Sequence, residues 1–100
     1  MSVALYKLTE KFPKTEIYGL TSQIRRAGVS VASNISEGYG RQSTGDYKRF
    51  LGMACGSNLE VQTQLVIARQ LGFGQPSDFR VVEGFSEELG KMLVSLMRNL

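Results

Sequence analysis

Apolar residues recur along this chain at alternating steps of three and four, and almost nowhere at steps of two. Such spacing lines up side chains on one face of an α-helix and gives no strand a consistent buried side, so the sequence predicts an all-α protein. One seam runs through Ile17, Leu20, Ile24, Ala27, Val31, Asn34 and Gly38 and predicts a helix from about Pro13 to Tyr39. Pro13 suits a first turn, Glu16 favours the positive end of the helix dipole, and Gly40 is a natural stop. Beside this seam, Gly28, Ala32, Ile35 and Tyr39 form a second stripe, small enough at its start for another helix to approach closely.

The next seam passes through Tyr47, Leu51, Ala54, Asn58, Val61, Leu65 and Ala68, with Phe50, Leu59 and Val66 widening it. It predicts a helix from about Thr44 to Leu71, opened by a capping box of Ser43 and Asp46. Two further segments flank this pair. Leu5, Leu8, Ala4 and Phe12 predict a short helix over Ser2 to Lys11. After the break at Gly72 to Pro76, Val81 or Val82, Phe85, Leu89, Met92, Leu93 and Leu96 predict a last helix from Ser77 to Arg98. Short connections make successive helices antiparallel neighbours. The expected fold is an antiparallel up-down-up-down four-helix bundle with a short first helix, one domain over residues 1–100. Two helices of about 27 residues would reach ~40 Å, and the first less than half of that. The uncovered part of the long hairpin predicts an apolar surface and, through it, a homo-oligomer.

The chain contains no histidine, which removes the commonest general base and the commonest transition-metal ligand. Neither a metal constellation nor an activated nucleophile is evident, and the lone Cys55 falls mid-helix, where thiols usually act as small hydrophobes. A non-enzyme without a cofactor is expected. No apolar run approaches a membrane span and no secretory leader opens the chain, so a cytoplasmic location with no membrane partner is expected. The net charge of +3 is unevenly spread: residues 1 to 69 carry nine Lys and Arg against five Asp and Glu, and residues 70 to 100 carry three against four. A polyanion would therefore meet the first three helices.

Arg25, Arg26, Arg41, Lys48 and Arg49, interleaved with Tyr39 and Tyr47, are the candidate binding residues for RNA, DNA or a protein partner. Arginine forks pair with phosphates and exposed tyrosines stack on bases; the competing reading is a solvated or subunit-facing surface. Asn34 and Asn58 each interrupt an apolar seam, as register-setting amides do. Glu37 shares a face with Asn34 and with Arg41, and antiparallel pairing brings Glu60 level with Arg25 or Arg26. Asn34, Glu37, Asn58 and Glu60 are thus expected to form a structural polar core, with Glu37 hydrogen-bonded nearby or paired with Arg41 and an ion pair from Glu60 to Arg25 or Arg26; the competing reading makes Asn34, Glu37 and Arg41 a recognition site for a ligand or partner.

The ordered set Phe12-Pro13-Lys14, Glu16, Tyr18-Gly19-Leu20, Gln23-Ile24-Arg25-Arg26-Ala27, Ser33-Asn34-Ile35-Ser36-Glu37-Gly38, Arg41, Phe50-Leu51, Ala54 and Gly56-Ser57 resembles the 23S ribosomal RNA intervening-sequence protein family. The resemblance implies a cytosolic bacterial four-helix bundle that assembles into a homopentameric ring. It further implies kinship with a basic pentamer that partners a reverse transcriptase and nucleic acid.

Overall fold

The computed structural model describes residues 1–100, and four helices account for most of them. They are α1 (Ser2–Thr9), α2 (Leu20–Tyr39), α3 (Thr44–Gln70) and α4 (Pro76–Arg98), with a short 3-10 turn at Lys14–Glu16 before α2. Side chains meeting between neighbours set the register. Ser30 meets Ser57 while Gly38 meets Tyr47 and Phe50, so α2 and α3 run antiparallel. Asn58 meets Ser86 while Arg69 meets Glu83, so α3 and α4 do likewise. Leu5 lies on Gly28 and Thr9 on Arg25, and Lys11 reaches Asp78 at the start of α4, which seats α1 between α2 and α4.

Helix α2 begins at Leu20, seven residues later than its apolar spacing predicts. Pro13 takes an extended ψ of 138°, and Gly19, with φ −106° and ψ −117°, breaks the helical path a second time. The carboxylate of Glu16 then accepts from the backbone N–H of Leu20 at 3.2 Å and serves as the cap. Ile17 leaves the seam as a result and is exposed. Helix α3 matches its predicted span, but only half of the capping box forms: Ser43 Oγ accepts from Asp46 N at 3.0 Å, while the Asp46 carboxylate lies 3.8 Å from Arg49. The cap of α4 is Gln75 with Pro76 in the first turn, not Ser77.

The core has two unequal parts. Where all four helices meet, ten residues are buried together, among them Leu5, Leu8, Phe12, Ile24, Val61, Leu65, Phe79 and Val82. Beyond the start of α1 only α2, α3 and α4 continue, and the buried set shrinks to Val31, Leu51, Ala54 and Leu93. Met1 packs against both sets. The inner face of α4 also differs from its predicted seam: Ser86 is buried, whereas Phe85, Met92 and Leu96 lie 47%, 48% and 37% exposed. These three side chains occupy the flank that faces α1, and α1 ends before covering it. Leu59 and Val66 likewise point outward from α3.

Close helix approach rests on missing Cβ atoms at two places. A Cβ on Gly28 would lie 2.4 Å from Leu5 Cδ1, and one on Gly38 would lie 2.8 Å from Phe50 Cβ and 3.1 Å from the Tyr47 ring. The obstacle at Gly38 is a Cβ, which moves only with its backbone. We expect Gly38→Ala to cost about 1–3 kcal/mol through overpacking. Gly52→Ala, at a mid-helix site where nothing lies within 4 Å, is expected to add about 0.5–1 kcal/mol by restricting the unfolded chain. Urea denaturation of both variants reads the two signs directly.

Candidate functional site

The five basic candidates separate into two groups. Arg25 and Arg26 sit near the start of α2, and Arg41, Lys48 and Arg49 at the turn between α2 and α3. Sixteen residues of mostly helical chain from Arg25 to Arg41 put ~24 Å between the groups. Arg25 is committed to α1: its Nε donates to Thr9 Oγ1 at 2.8 Å and its guanidinium lies 4.4 Å from the centre of the Tyr6 ring. Arg26 is exposed and reaches the groove between α2 and α3.

At the other end, Arg41 and Arg49 each hold a guanidinium 4.7 Å from the centre of the Phe50 ring. Two like charges share one aromatic residue because each has its own carboxylate. Arg41 donates to Glu37 at 2.9 Å, and Arg49 lies 3.8 Å from Asp46. Lys48 is exposed beside them, and Tyr39 is 83% exposed at the end of α2. Tyr47 is half-buried under the turn. The turn therefore presents oriented guanidinium groups and one free aromatic ring.

Of the four expected core polar residues, two lie outside the core. Glu37 is exposed and pairs with Arg41, as their i, i+4 spacing allows. Glu60 is exposed on α3 and forms no ion pair with either arginine. It shares a cleft with Arg26, while Arg25 has turned toward Tyr6. Asn34 is half-buried and donates to the backbone oxygen of Ser30 at 2.8 Å and to its hydroxyl at 3.1 Å. The link across to α3 is made by Ser30, whose Oγ lies 2.8 Å from Ser57 Oγ.

Asn58 fulfils the expected role in full. It is 2% exposed, donates to the backbone oxygen of Ser86 at 3.0 Å, and accepts from Ser86 Oγ at 2.8 Å. Gln62 Nε2 donates to that same hydroxyl at 2.9 Å, so both polar atoms of the Asn58 amide and the Ser86 hydroxyl are satisfied. Gly90 leaves the space, since a Cβ there would stand 3.3 Å from Asn58 Nδ2. Ser86, Ser30 and Ser57 were not singled out by the seams, although Ser86 sits at i+4 from Val82 and could be read as a polar partner for Asn58. Burial pushes the Cys55 thiol above its ordinary pKa, which keeps it protonated and weakly nucleophilic near neutrality. Its small contribution to stability is complete below the unfolded-state pKa and is lost as pH rises through the raised folded value.

The fold has a counterpart among known proteins. The family model for the 23S rRNA-intervening sequence protein matches residues 1–95. The chain belongs to that family. A crystal structure of a protein of unknown function from the S23 ribosomal protein family of Bacteroides thetaiotaomicron VPI-5482 is similar in fold, with a TM-score of 0.83 and 25% identity. The alignment covers 96% of this chain and 87% of that one. No curated protein matches the chain. For this member of the 23S rRNA-intervening sequence protein family, the interhelical clamp at Asn58 makes a sharp prediction. Asn58→Ala removes the acceptor of the Ser86 O–H, leaving that hydroxyl only the donation from Gln62, and is expected to cost about 2 kcal/mol, whereas Asn34→Ala, losing bonds within one helix, costs about 1 kcal/mol or less. Urea midpoints at constant m-value check the order.

Proposed function

We propose that this chain is a non-enzymatic, homo-oligomeric four-helix-bundle protein of the cytoplasm that acts as a scaffold or partner-binding module. The arrangement we favour is the pentameric ring that the family resemblance implies. The observation that carries the reading is the apolar row on α4: Val81, Phe85, Met92 and Leu96, each between 37% and 51% exposed, along the flank that α1 leaves open. The accessible surface of 6240 Å² exceeds the ~5,650 Å² expected of a compact monomer of this mass. Burying that flank against a second copy supplies the apolar area that an oligomer interface needs. The absence of histidine, and of any convergent group of three His, Cys, Asp or Glu side chains, supports the non-enzymatic part. No helix is long and apolar enough to cross a membrane.

Light scattering after size exclusion at about 10 µM, a concentration at which a micromolar interface is largely formed, is the direct test. An oligomer is expected. Phe85→Glu with Met92→Glu should shift it toward monomer while far-ultraviolet circular dichroism stays helical. A monodisperse monomer of the unaltered chain sinks the proposal.

The second reading is a nucleic-acid accessory protein, and the α2–α3 turn favours it. Arg41 and Arg49 are held in place on Phe50, and Lys48 and the exposed ring of Tyr39 stand beside them. Oriented guanidinium groups suit phosphates, and a free aromatic ring suits an unpaired base. Binding of a labelled single-stranded RNA at ~50 mM salt, weakening by about tenfold or more at ~200 mM and weakened by Tyr39→Ala, is the expected pattern. No binding of RNA or DNA at the lower salt removes this reading.

A further inference from the structure

The cleft between α2 and α3 collects polar side chains that the protein itself leaves without partners. Gln23, Arg26 and Ser30 lie on one face of α2, and Glu60 and Gln64 lie one turn apart on α3. Together with Ala27 they line an open groove of about 420 Å³. Ser30 is already engaged with Ser57 and Asn34. The side chains of Gln23, Arg26, Glu60 and Gln64 make no ion pair and no hydrogen bond within the chain. Arg25, Arg41, Arg49 and Arg69 behave differently, each lying over an aromatic ring.

Gln64 is the most telling of the four. It is only 8% exposed, and its Oε1 is sealed from solvent without a hydrogen-bond donor. On α2 the hydroxyl of Thr21 is likewise buried without a partner, so the buried polar atoms on this side of the bundle come from both helices. The terminal torsion of a glutamine is soft, and Gln64 lines the cleft with what little of it is exposed.

The charges of the cleft describe what it can hold. Arg26 offers a two-pronged donor to a carboxylate, and Glu60 an acceptor to an ammonium group. The two face the same space, yet stand farther apart than the 4.0 Å of an ion pair. Ala27 is the only apolar lining residue and no aromatic ring is present, which disfavours a stacked base or an apolar ligand. We propose that this cleft binds a small polar zwitterion, a free L-α-amino acid. Its carboxylate lies on Arg26, its ammonium group on Glu60, and its polar side chain on the amides of Gln23 and Gln64. The site is separate from the α4 flank and from the α2–α3 turn, and it stands whether or not either of those surfaces is used.

Titration of the ¹⁵N-labelled full chain with L-glutamine tests it, with glutaramic acid and 4-aminobutanamide as probes lacking one charged end each. Saturable shifts are expected at residues 23–30 and 60–64, with a dissociation constant of roughly 0.1–1 mM. Each truncated probe, and each of the variants Arg26→Gln and Glu60→Gln, should bind at least about tenfold more weakly, since each removes one charge-assisted contact. Both substituted residues are exposed, so the fold survives either change. The proposal is overturned if glutamine, serine and arginine all fail to give saturable shifts up to ~10 mM. Equal affinity in the variants, or tighter binding of guanosine, overturns it too. So does a change of assembly size in the variants without any amino-acid response, which assigns the cleft to a subunit contact.

Discussion

An eight-residue helix covers ~12 Å of a hairpin whose longer arm, α3, reaches ~40 Å, and that mismatch governs how the molecule is held together. Where α1 lies, Leu5, Leu8 and Phe12 close a core with contributions from every helix. Burying each of these side chains is worth about 1.5–3 kcal/mol, so α1 contributes far beyond its length. Where α1 is absent, three helices must hold one another with four buried apolar residues. That region relies on other devices: the glycine contact at Gly38, the serine pair Ser30 and Ser57, and the clamp of Asn58 on Ser86.

Those polar links do what a thin apolar core does poorly. Apolar contacts tolerate sliding, because one methyl group replaces another at little cost. A buried amide facing a buried hydroxyl does not, since a shift of one turn leaves both unsatisfied at about 1–3 kcal/mol each. The Asn58 clamp lies close to the level where the larger buried cluster gives way to the smaller, and so fixes α4 on α3 there. Charge has a smaller part in stability. The ion pairs are surface pairs or nearly so, and their value lies in orienting Arg41 and Arg49 more than in holding the fold.

The sequence made the helices legible wherever local periodicity decides the outcome. The α3 seam from Leu51 to Ala68 is buried as its spacing requires, and the seam asparagine Asn58 lies where a register device belongs. Legibility failed where the answer depends on a neighbour. Phe85 and Ser86 are adjacent, and hydrophobicity favours turning Phe85 inward; Asn58, from another helix, makes the serine the better inner residue. Ile17 continues an apolar seam in one dimension, but Gly19 breaks the helix that would have carried it inward. Antiparallel spacing puts Glu60 level with Arg25 or Arg26, and it shares a groove with Arg26, yet spacing along a helix gives height and not the distance across a groove. The unsatisfied amide of Gln64 left no mark in the sequence, because it is defined by what its surroundings lack.

The seating of α1 has a kinetic side. Contacts of α2 with α3, and of α3 with α4, form across short turns and close small loops. The link of Lys11 to Asp78 joins positions 67 residues apart, and with it the packing of Leu8 and Phe12 beside Phe79 closes the longest loop of the fold. Closing a loop costs entropy that grows as (3/2)RT ln n. The three-helix frame is therefore reached through local contacts, and the docking of α1 carries the largest loop closure. A chain emerging from the ribosome makes α1 first and can dock it on α4 last, so its shortest helix waits longest for its partner.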